Sequence, residues 1–173
     1  SSRHRQPVVV VSALGGVTDL LLEATAAAGR GDLAGQEAAI AGIERRHRWA
    51  LSGCLSDAGS RQDAEMVLAD TFDEMKLLLR SVRTLGELSP RARDALLAFG
   101  ELLSSRLLAS ALAGSGVPAR WVDPGKVVAT DGIHGSATPD LVRMADTVRE
   151  NVLVPVEHGQ IPVIGGFVGS SQE

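Results

Sequence analysis

The segment from Val8 to Asp19 reads VVVVSALGGVTD. Four consecutive β-branched residues, too few to span a membrane, predict a strand that is buried on both faces. Ser12–Gly16 predicts a turn of small residues, and Thr18 is the expected N-cap of a helix that opens with Asp19. A strand, a glycine turn and a helix N-terminus in this order form a concave set of backbone N–H groups, which attracts a carboxylate or a phosphate. By itself such a turn is more often a structural connection than a site, and it matches neither GxGxxG nor GxxxxGK[ST].

Length and composition restrict the class of protein. With 173 residues, of which 45% are hydrophobic and 22% charged, the chain is predicted to fold around one sizeable core. A net charge of −4 and an aromatic content of 3% disfavour a nucleic-acid partner. We interpret the basic group Arg45, Arg46 and Arg48 as a solvated helix face. No apolar run approaches the ~20 residues of a membrane span, so no membrane partner is expected.

The single cysteine, Cys54, indicates the compartment. One cysteine excludes an internal disulfide and fits a reducing environment, so we expect the protein in the cytoplasm. Because Cys54 lies in an apolar helical pattern, it is predicted to be a small core residue.

Two long amphipathic helices are predicted between residues 33 and 87. Apolar residues recur at three–four spacing in both, which predicts that the two seams bury against each other in an antiparallel hairpin. His47 lies on the first seam with no ligand type at i+3 or i+4 on that side, so a half-buried, hydrogen-bonded histidine is expected rather than a metal ligand. The seam residues are Ile40, Ile43, His47, Ala50 and Cys54 in the first helix and Leu68, Phe72, Met75, Leu79 and Val82 in the second.

The next predicted helix, over residues 91–113 with its N-terminus at Ser89–Pro90, carries a carboxylate on its apolar face. Glu101 lies on the line formed by Leu97, Ser104, Leu108 and Leu112. A carboxylate in such a stripe costs several kcal/mol in desolvation unless it is paired. An ion pair with Arg93 or Arg106 is one explanation, although neither lies at i±3 or i±4. Binding of a ligand group is the other.

The rest of the chain predicts further strands and one more helix. Strands are expected at Val117–Val122, at Lys126–Thr130 and from Gln160 onward, and a helix from Thr138 as N-cap to about Val156. His134 is interpreted as an exposed loop residue.

Strands that alternate with helices predict an α/β fold with a parallel-rich sheet and helices on both faces. Ligands of such sheets bind beyond the carboxyl ends of the strands, where Ser12–Gly16 and Gly165–Ser170 are both rich in glycine. Two backbone nests and one buried acid suit a small zwitterion. The amides would hold its anionic groups, and Glu101 would hold a cationic amine.

Three segments, in the expected order, resemble motifs of the aspartokinases, which have the amino acid kinase fold. They are VVVSALGGVTD at residues 9–19, FGELLS at 99–104 and GFVGS at 166–170. The resemblance covers nearly all of residues 1–173 and implies a three-layer sandwich with a helical hairpin inserted at about residues 33–87. It also implies a kinase that uses ATP and Mg²⁺ to phosphorylate the side-chain carboxylate of L-aspartate, the first step towards lysine, threonine and related amino acids, and that forms a homo-oligomer.

Carried over to this sequence, the resemblance implies a set of substrate-binding residues. Ser12 and the amides of the turn (Ala13, Gly15 and Gly16) would line the substrate and phosphoryl-transfer pocket. Thr18 would hydrogen-bond the substrate, and Glu101 would bind the amino group of aspartate. Gly166 and Phe167 would shape the pocket through backbone contacts. No residue is assigned with certainty to catalysis, and none to a metal.

The chain also departs from the family pattern. Aspartokinases carry an N-terminal strand ending in KFGGTS, whose lysine serves the phosphates, and a nucleotide-binding half followed by regulatory domains. Residues 1–173 contain neither, so we expect the substrate-binding half of a larger enzyme, inactive on its own. Residues 133–140 read IHGSATPD against a commoner FGRAEPD. The alternatives are another kinase of the superfamily, acting on a different carboxylate, a carbamate or a nucleotide monophosphate, and a non-catalytic ligand-sensing or oligomerisation module.

Overall fold

Short β-branched runs next to glycine or proline favour strands, and Ala- and Leu-rich segments that follow a capping residue favour helices. The computed structural model describes residues 7–131 and 137–166. The strands are β1 (Val9–Val11), β2 (Ala119–Trp121) and β3 (Ile161–Gly165). The helices are α1 (Val17–Gly29), α2 (Leu33–Cys54), α3 (Ala58–Leu85), α4 (Pro90–Gly114), α5 (Leu141–Val148) and α6 (Val154–Glu157), with a 3₁₀ turn at Pro124–Lys126 and a π-helical segment at Arg149–Leu153.

The strands form a parallel sheet in the order β1-β3-β2. Successive side chains of β3 point to opposite faces. Gly165 meets Glu101 of α4 on one face, and Ile164 packs with Val152 of the π-helical segment on the other. The prediction of a parallel sheet with helices on both faces is therefore confirmed.

The prediction that the first strand is buried on both faces is wrong. Val10 is 63% exposed, whereas the buried strand is β3. β1 lies at the edge of the described sheet, and Val10 lies opposite Ile164 in the register but is not part of the apolar cluster that covers Ile164. A β-branched run alone does not distinguish a central from an edge strand.

The helices of the predicted hairpin exist, but each packs mainly on a different neighbour. α2 lies chiefly along α1, and α3 lies chiefly along α4. The α3 seam is buried as predicted, from Leu68 to Val82. In α2 the apolar stripe continues through the buried Leu51 to Leu55, so Cys54, the last residue of the helix, is exposed and the prediction of a core cysteine is wrong.

The region after β2 differs from the sequence prediction at two places. Residues 126–130 form no continuous strand: the Asp123 carboxylate accepts a hydrogen bond from the Gly125 N–H (2.9 Å) and starts a 3₁₀ turn that ends at Lys126, and the predicted β segment is reduced to an isolated antiparallel bridge between Thr130 and Pro139. The N-cap of α5 is Asp140, not Thr138, since its Oδ1 accepts from the N–H groups of Val142 and Arg143. His134 lies outside the described residues.

α4 is the central helix and contacts all the strands of the described sheet. Its start is as predicted: Ser89 Oγ accepts from the Ala92 N–H at 3.1 Å, and Pro90 occupies the first turn. Within the described residues, α4 is also long and apolar enough to cross a membrane by length and composition (mean hydropathy 1.4), a run that the sequence prediction missed. In the described structure 56% of the apolar window of α4 is buried, and buried core helices meet the same length and composition criteria.

His47 is fully buried rather than half-buried. Its Nδ1 donates to the Ile43 carbonyl oxygen at 2.8 Å, and its ring meets Phe72 edge-on with centroids 5.7 Å apart. The hydrogen bond fixes the proton on Nδ1 and leaves Nε2 without a partner among the described residues. Burial lowers the pKa of His47, because the charged imidazolium would lose its hydration.

We expect the free energy of unfolding to fall as the pH drops below the ordinary histidine pKa of 6.5. Below this pH the unfolded chain binds a proton that folded His47, with its lowered pKa, does not bind. The loss continues until the pH reaches the folded pKa. Urea denaturation on either side of this pH should show the loss in the wild type and a smaller one in His47→Leu.

His158→Leu is the matched control, since His158 makes the same Nδ1 bond to the carbonyl four residues earlier (2.7 Å) but is exposed. If His47→Leu and His158→Leu change the pH dependence equally, burial of His47 is not the cause.

Candidate functional site

The carboxyl ends of β1 and β3 lie side by side. Val11 is paired with Gly165, and the Gly166 N–H donates to the Val11 carbonyl oxygen at 3.0 Å, one residue beyond the ladder. Ser12 and Gly166 therefore leave the sheet as neighbours. The two glycine-rich ends that the sequence predicted to converge begin at the same point.

Glu101 lies beside this point, on α4, with only 8% of its surface exposed. The Ser12 hydroxyl donates to Glu101 Oε1 at 3.4 Å, a long hydrogen bond. Ser104 Oγ lies 2.8 Å from the Ser12 carbonyl oxygen and 3.2 Å from the Glu101 carbonyl oxygen. Both the side chain and the backbone of Ser12 are thus hydrogen-bonded to α4. The Glu101 carboxylate lies at the start of the turn between β1 and α1, here called the β1 turn.

Arg106, one of the proposed ion-pair partners of Glu101, has its guanidinium over the indole of Trp121, 4.0 Å from the ring centroid. The Trp121 Nε1–H donates to Ser105 Oγ at 3.0 Å. These contacts join α4 to β2.

The turn between β1 and α1 is pressed against α4. A Cβ at Gly100 would lie 2.9 Å from the Ala13 Cβ, so a side chain at that position would displace the turn. Gly16 has φ +74°, the left-handed region that glycine adopts without strain, and it is the N-cap of α1. The Val17 N–H donates to the Leu14 carbonyl oxygen at 2.9 Å and closes the turn.

Thr18 does not cap α1. The helix begins at Val17, and its N-cap is Gly16, which makes no side-chain capping bond, so the prediction of a threonine cap is wrong. Thr18 is an exposed residue of the first turn, on the side of the molecule where the helix presents N–H groups that have no intrahelical acceptor.

Arg46 is a site neighbour that the sequence prediction missed. Its Nη1 donates to the Gly15 carbonyl oxygen at 2.8 Å, and its Nη2 lies 3.1 Å from where a Cβ of Gly16 would be. This contact joins residues 31 positions apart. Helical periodicity predicts which residues share a face of α2, but it does not predict which other element that face contacts.

The arrangement combines opposite electrostatic properties at one place. The positive end of α1 and the amides of the Gly15–Gly16 turn attract an anion. The Glu101 carboxylate attracts a cation. A ligand that carries both charges fits this geometry. Phe167, the remaining predicted site residue, lies outside the described residues.

Comparison with known proteins agrees with this fold. The chain matches the amino acid kinase family over residues 1–173. It is 28% identical to aspartokinase 1, chloroplastic, of Arabidopsis thaliana, over 96% of this chain and 28% of that protein. It is 31% identical to the aspartokinase of Schizosaccharomyces pombe, over 89% of this chain and 30% of that protein.

The fold is also similar to the crystal structure of Escherichia coli aspartokinase III in complex with aspartate and ADP. The TM-score is 0.82 at 25% sequence identity, over 96% of this chain and 35% of that one. The resemblance to aspartokinases seen in the sequence is thus confirmed across the chain. The chain spans 28% and 30% of the two curated relatives.

Gly100→Ala should destabilise the protein by about 1–3 kcal/mol, the usual cost of overpacking. The added methyl would meet Ala13 Cβ, which is fixed to the backbone and moves only if the turn moves. Gly53→Ala is the matched control, since nothing lies within 4 Å of a Cβ at that helical position. There we expect up to ~1 kcal/mol of stabilisation from helix propensity. Equal urea midpoints for the two variants would show that the turn is not pressed against α4.

Proposed function

The chain belongs to the amino acid kinase family, and we propose that the complete protein is an aspartate kinase. It would transfer the γ-phosphoryl group of ATP to the side-chain carboxylate of L-aspartate and form 4-phospho-L-aspartate. The observation that carries this proposal is the position of the buried Glu101 carboxylate beside Ser12, at the carboxyl end of β1. The aspartokinase relatives and the similarity to a structure that holds aspartate and ADP support it.

In this proposal Glu101 binds the α-ammonium group of aspartate. The carboxylate is already held in place through Ser12 and through the close packing of Gly165, where a Cβ would lie 3.1 Å from that of Glu101. A bound ammonium group would compete with the Ser12 hydroxyl for the same carboxylate oxygen. Ser12 would then be available to donate to the substrate.

The β1 turn would bind the anionic part of the reaction. The amides of Ala13–Gly16, together with the Ser12 and Thr18 hydroxyls, lie at the N-terminus of α1, where negative charge is stabilised. Phosphoryl transfer to a carboxylate depends mainly on alignment and on neutralising charge on the transferring oxygens. These residues would hold the acceptor carboxylate in line and exclude other orientations. Gly166 and Phe167 complete the proposed set of substrate contacts.

ATP and Mg²⁺ are part of the proposal, with Mg²⁺ neutralising the phosphate charge when bound. Among residues 7–131 and 137–166 no cluster of three or more histidine, cysteine or acidic side chains could hold a metal ion. We assign the described residues no step through Mg²⁺. We further propose, from the resemblance, a homo-oligomer in the cytoplasm with a place in lysine and threonine biosynthesis.

Glu101→Gln should lower kcat/KM for aspartate roughly 10- to 100-fold, because a hydrogen bond to a charged group contributes about 1.5–3 kcal/mol. The measurement is aspartate-dependent ADP formation by the complete protein. The effect should appear chiefly in the KM for aspartate.

N-Acetyl-aspartate tests the assignment of the ammonium group, since it keeps both carboxylates and lacks the positive charge. The wild type should strongly prefer aspartate, and Glu101→Gln should lose most of that preference. Glu87→Gln, at an exposed glutamate before α4, serves as control. No aspartate-dependent ADP formation by the wild type, or phosphorylation of a different acceptor, would reject the proposed function.

A further inference from the structure

Arg46 touches the backbone of the β1 turn from a different element. We propose that Arg46 is a positioning residue that holds the Gly15–Gly16 peptide so that its N–H faces the anionic part of the substrate. This inference rests on the proposed function. It concerns a residue of α2, outside the three segments that carry the resemblance to aspartokinases.

The fold fixes how Arg46 reaches the turn. Leu20 of α1 packs directly onto Gly42 of α2, with both of its methyl carbons 3.2 Å from where a Cβ would lie. Arg46 is one helical turn further along the same face of α2. The neighbouring His47 is fully buried in the core, which prevents α2 from rotating about its axis. The packing of α1 against α2 therefore positions the Arg46 guanidinium at the turn.

The contact is shaped to the guanidinium group. Nη1 donates to the Gly15 carbonyl oxygen at 2.8 Å, while Cζ lies 3.2 Å from where a Cβ of Gly16 would be. Any other residue at position 16 would carry a side chain into this space and would also have to adopt φ +74°. The planar fork of arginine fits a carbonyl oxygen and a flat backbone surface better than an ammonium group does.

The hydrogen bond acts on the same peptide group that would bind the ligand. The carbonyl of Gly15 and the N–H of Gly16 belong to one peptide unit, so a cationic donor on the oxygen polarises the N–H and makes it a stronger donor. Gly16, the N-cap of α1, has no side chain with which to accept a hydrogen bond from the first N–H groups of the helix. In this proposal Arg46 orients and polarises the amide through its bond to the Gly15 carbonyl oxygen.

The adjacent arginines provide a comparison within α2. Arg48 pairs with Glu44 at 2.9 Å. Arg45 places its Nη2 3.8 Å from the Cβ position of Gly42, within its own helix. Arg45→Ala removes the same charge from the same helix without touching the turn, and it is the matched control.

The experiment compares Arg46→Ala, Arg46→Lys and Arg45→Ala in the complete gene product. Steady-state kinetics with aspartate and ATP is one readout, and hydrogen exchange of the backbone over residues 12–20 is the other. Arg46→Ala should lower kcat/KM for aspartate roughly 10- to 100-fold, the range expected for misplaced binding groups. It should also accelerate exchange over residues 12–20. Arg46→Lys should recover part of both, and Arg45→Ala should change either by less than about twofold.

Three results would overturn the proposal. Equal losses in Arg45→Ala and Arg46→Ala would indicate a general effect of charge. Faster exchange with unchanged kinetics would indicate a structural contact only. Slower kinetics with unchanged exchange would indicate that Arg46 contacts the substrate itself. A wild type without aspartate-dependent ADP formation would instead reject the proposed function, while hydrogen exchange would still show whether Arg46 holds the turn.

Discussion

The close approach of α4 to the carboxyl ends of β1 and β3 is the constraint on which the rest of the site depends. It occurs at two glycines, Gly100 against Ala13 and Gly165 against Glu101, and neither has room for a methyl group without movement of a neighbour. Because the helix lies this near, a carboxylate on it reaches the mouth of the turn while remaining almost fully buried.

Apolar packing forms the core of the molecule, whereas polar contacts determine the position of Ser12 at the site. The apolar stripes of α1, α2, α3 and α4 form one large core, and a smaller cluster lies on the other face of the sheet around Ile164. Neither cluster specifies where Ser12 sits along α4. Two hydrogen bonds set that position: the Ser104 hydroxyl donates to the Ser12 carbonyl oxygen, and the Ser12 hydroxyl donates to Glu101. Hydrogen bonds are directional and apolar contacts are not, so the hydrogen bonds determine where Ser12 lies along α4.

The sequence predicted features that depend on local chemistry. The helix start at Ser89–Pro90 and the α3 seam from Leu68 to Val82 follow from capping and from periodicity. It failed at the ends of elements and for contacts with distant elements. Cys54 is exposed because the neighbouring Leu55 occupies the core position, and the predicted strand at residues 126–130 is reduced to a bridge at Thr130 because a side chain closes the preceding turn. Arg45, Arg46 and Arg48 are exposed, as predicted, but periodicity does not predict the bond from Arg46 to Gly15, because the partner is in another element. For the candidate site, the convergence of Ser12, Glu101 and Gly166 followed from strand ends meeting at one edge, whereas the contacts of the turn with α2 did not.

The pairing of β1 with β3 has a consequence for how the protein folds. α1 with α2 and α3 with α4 are neighbours along the chain, so their contacts close short loops and form early. Val9 must find Val163 across nearly the whole sequence, and the entropy of closing that loop is overcome only once the helices have brought the ends together. The helical core is therefore expected to assemble before the site exists. The binding groups around Ser12 would be the last part of the molecule to order and the first to open in a local fluctuation.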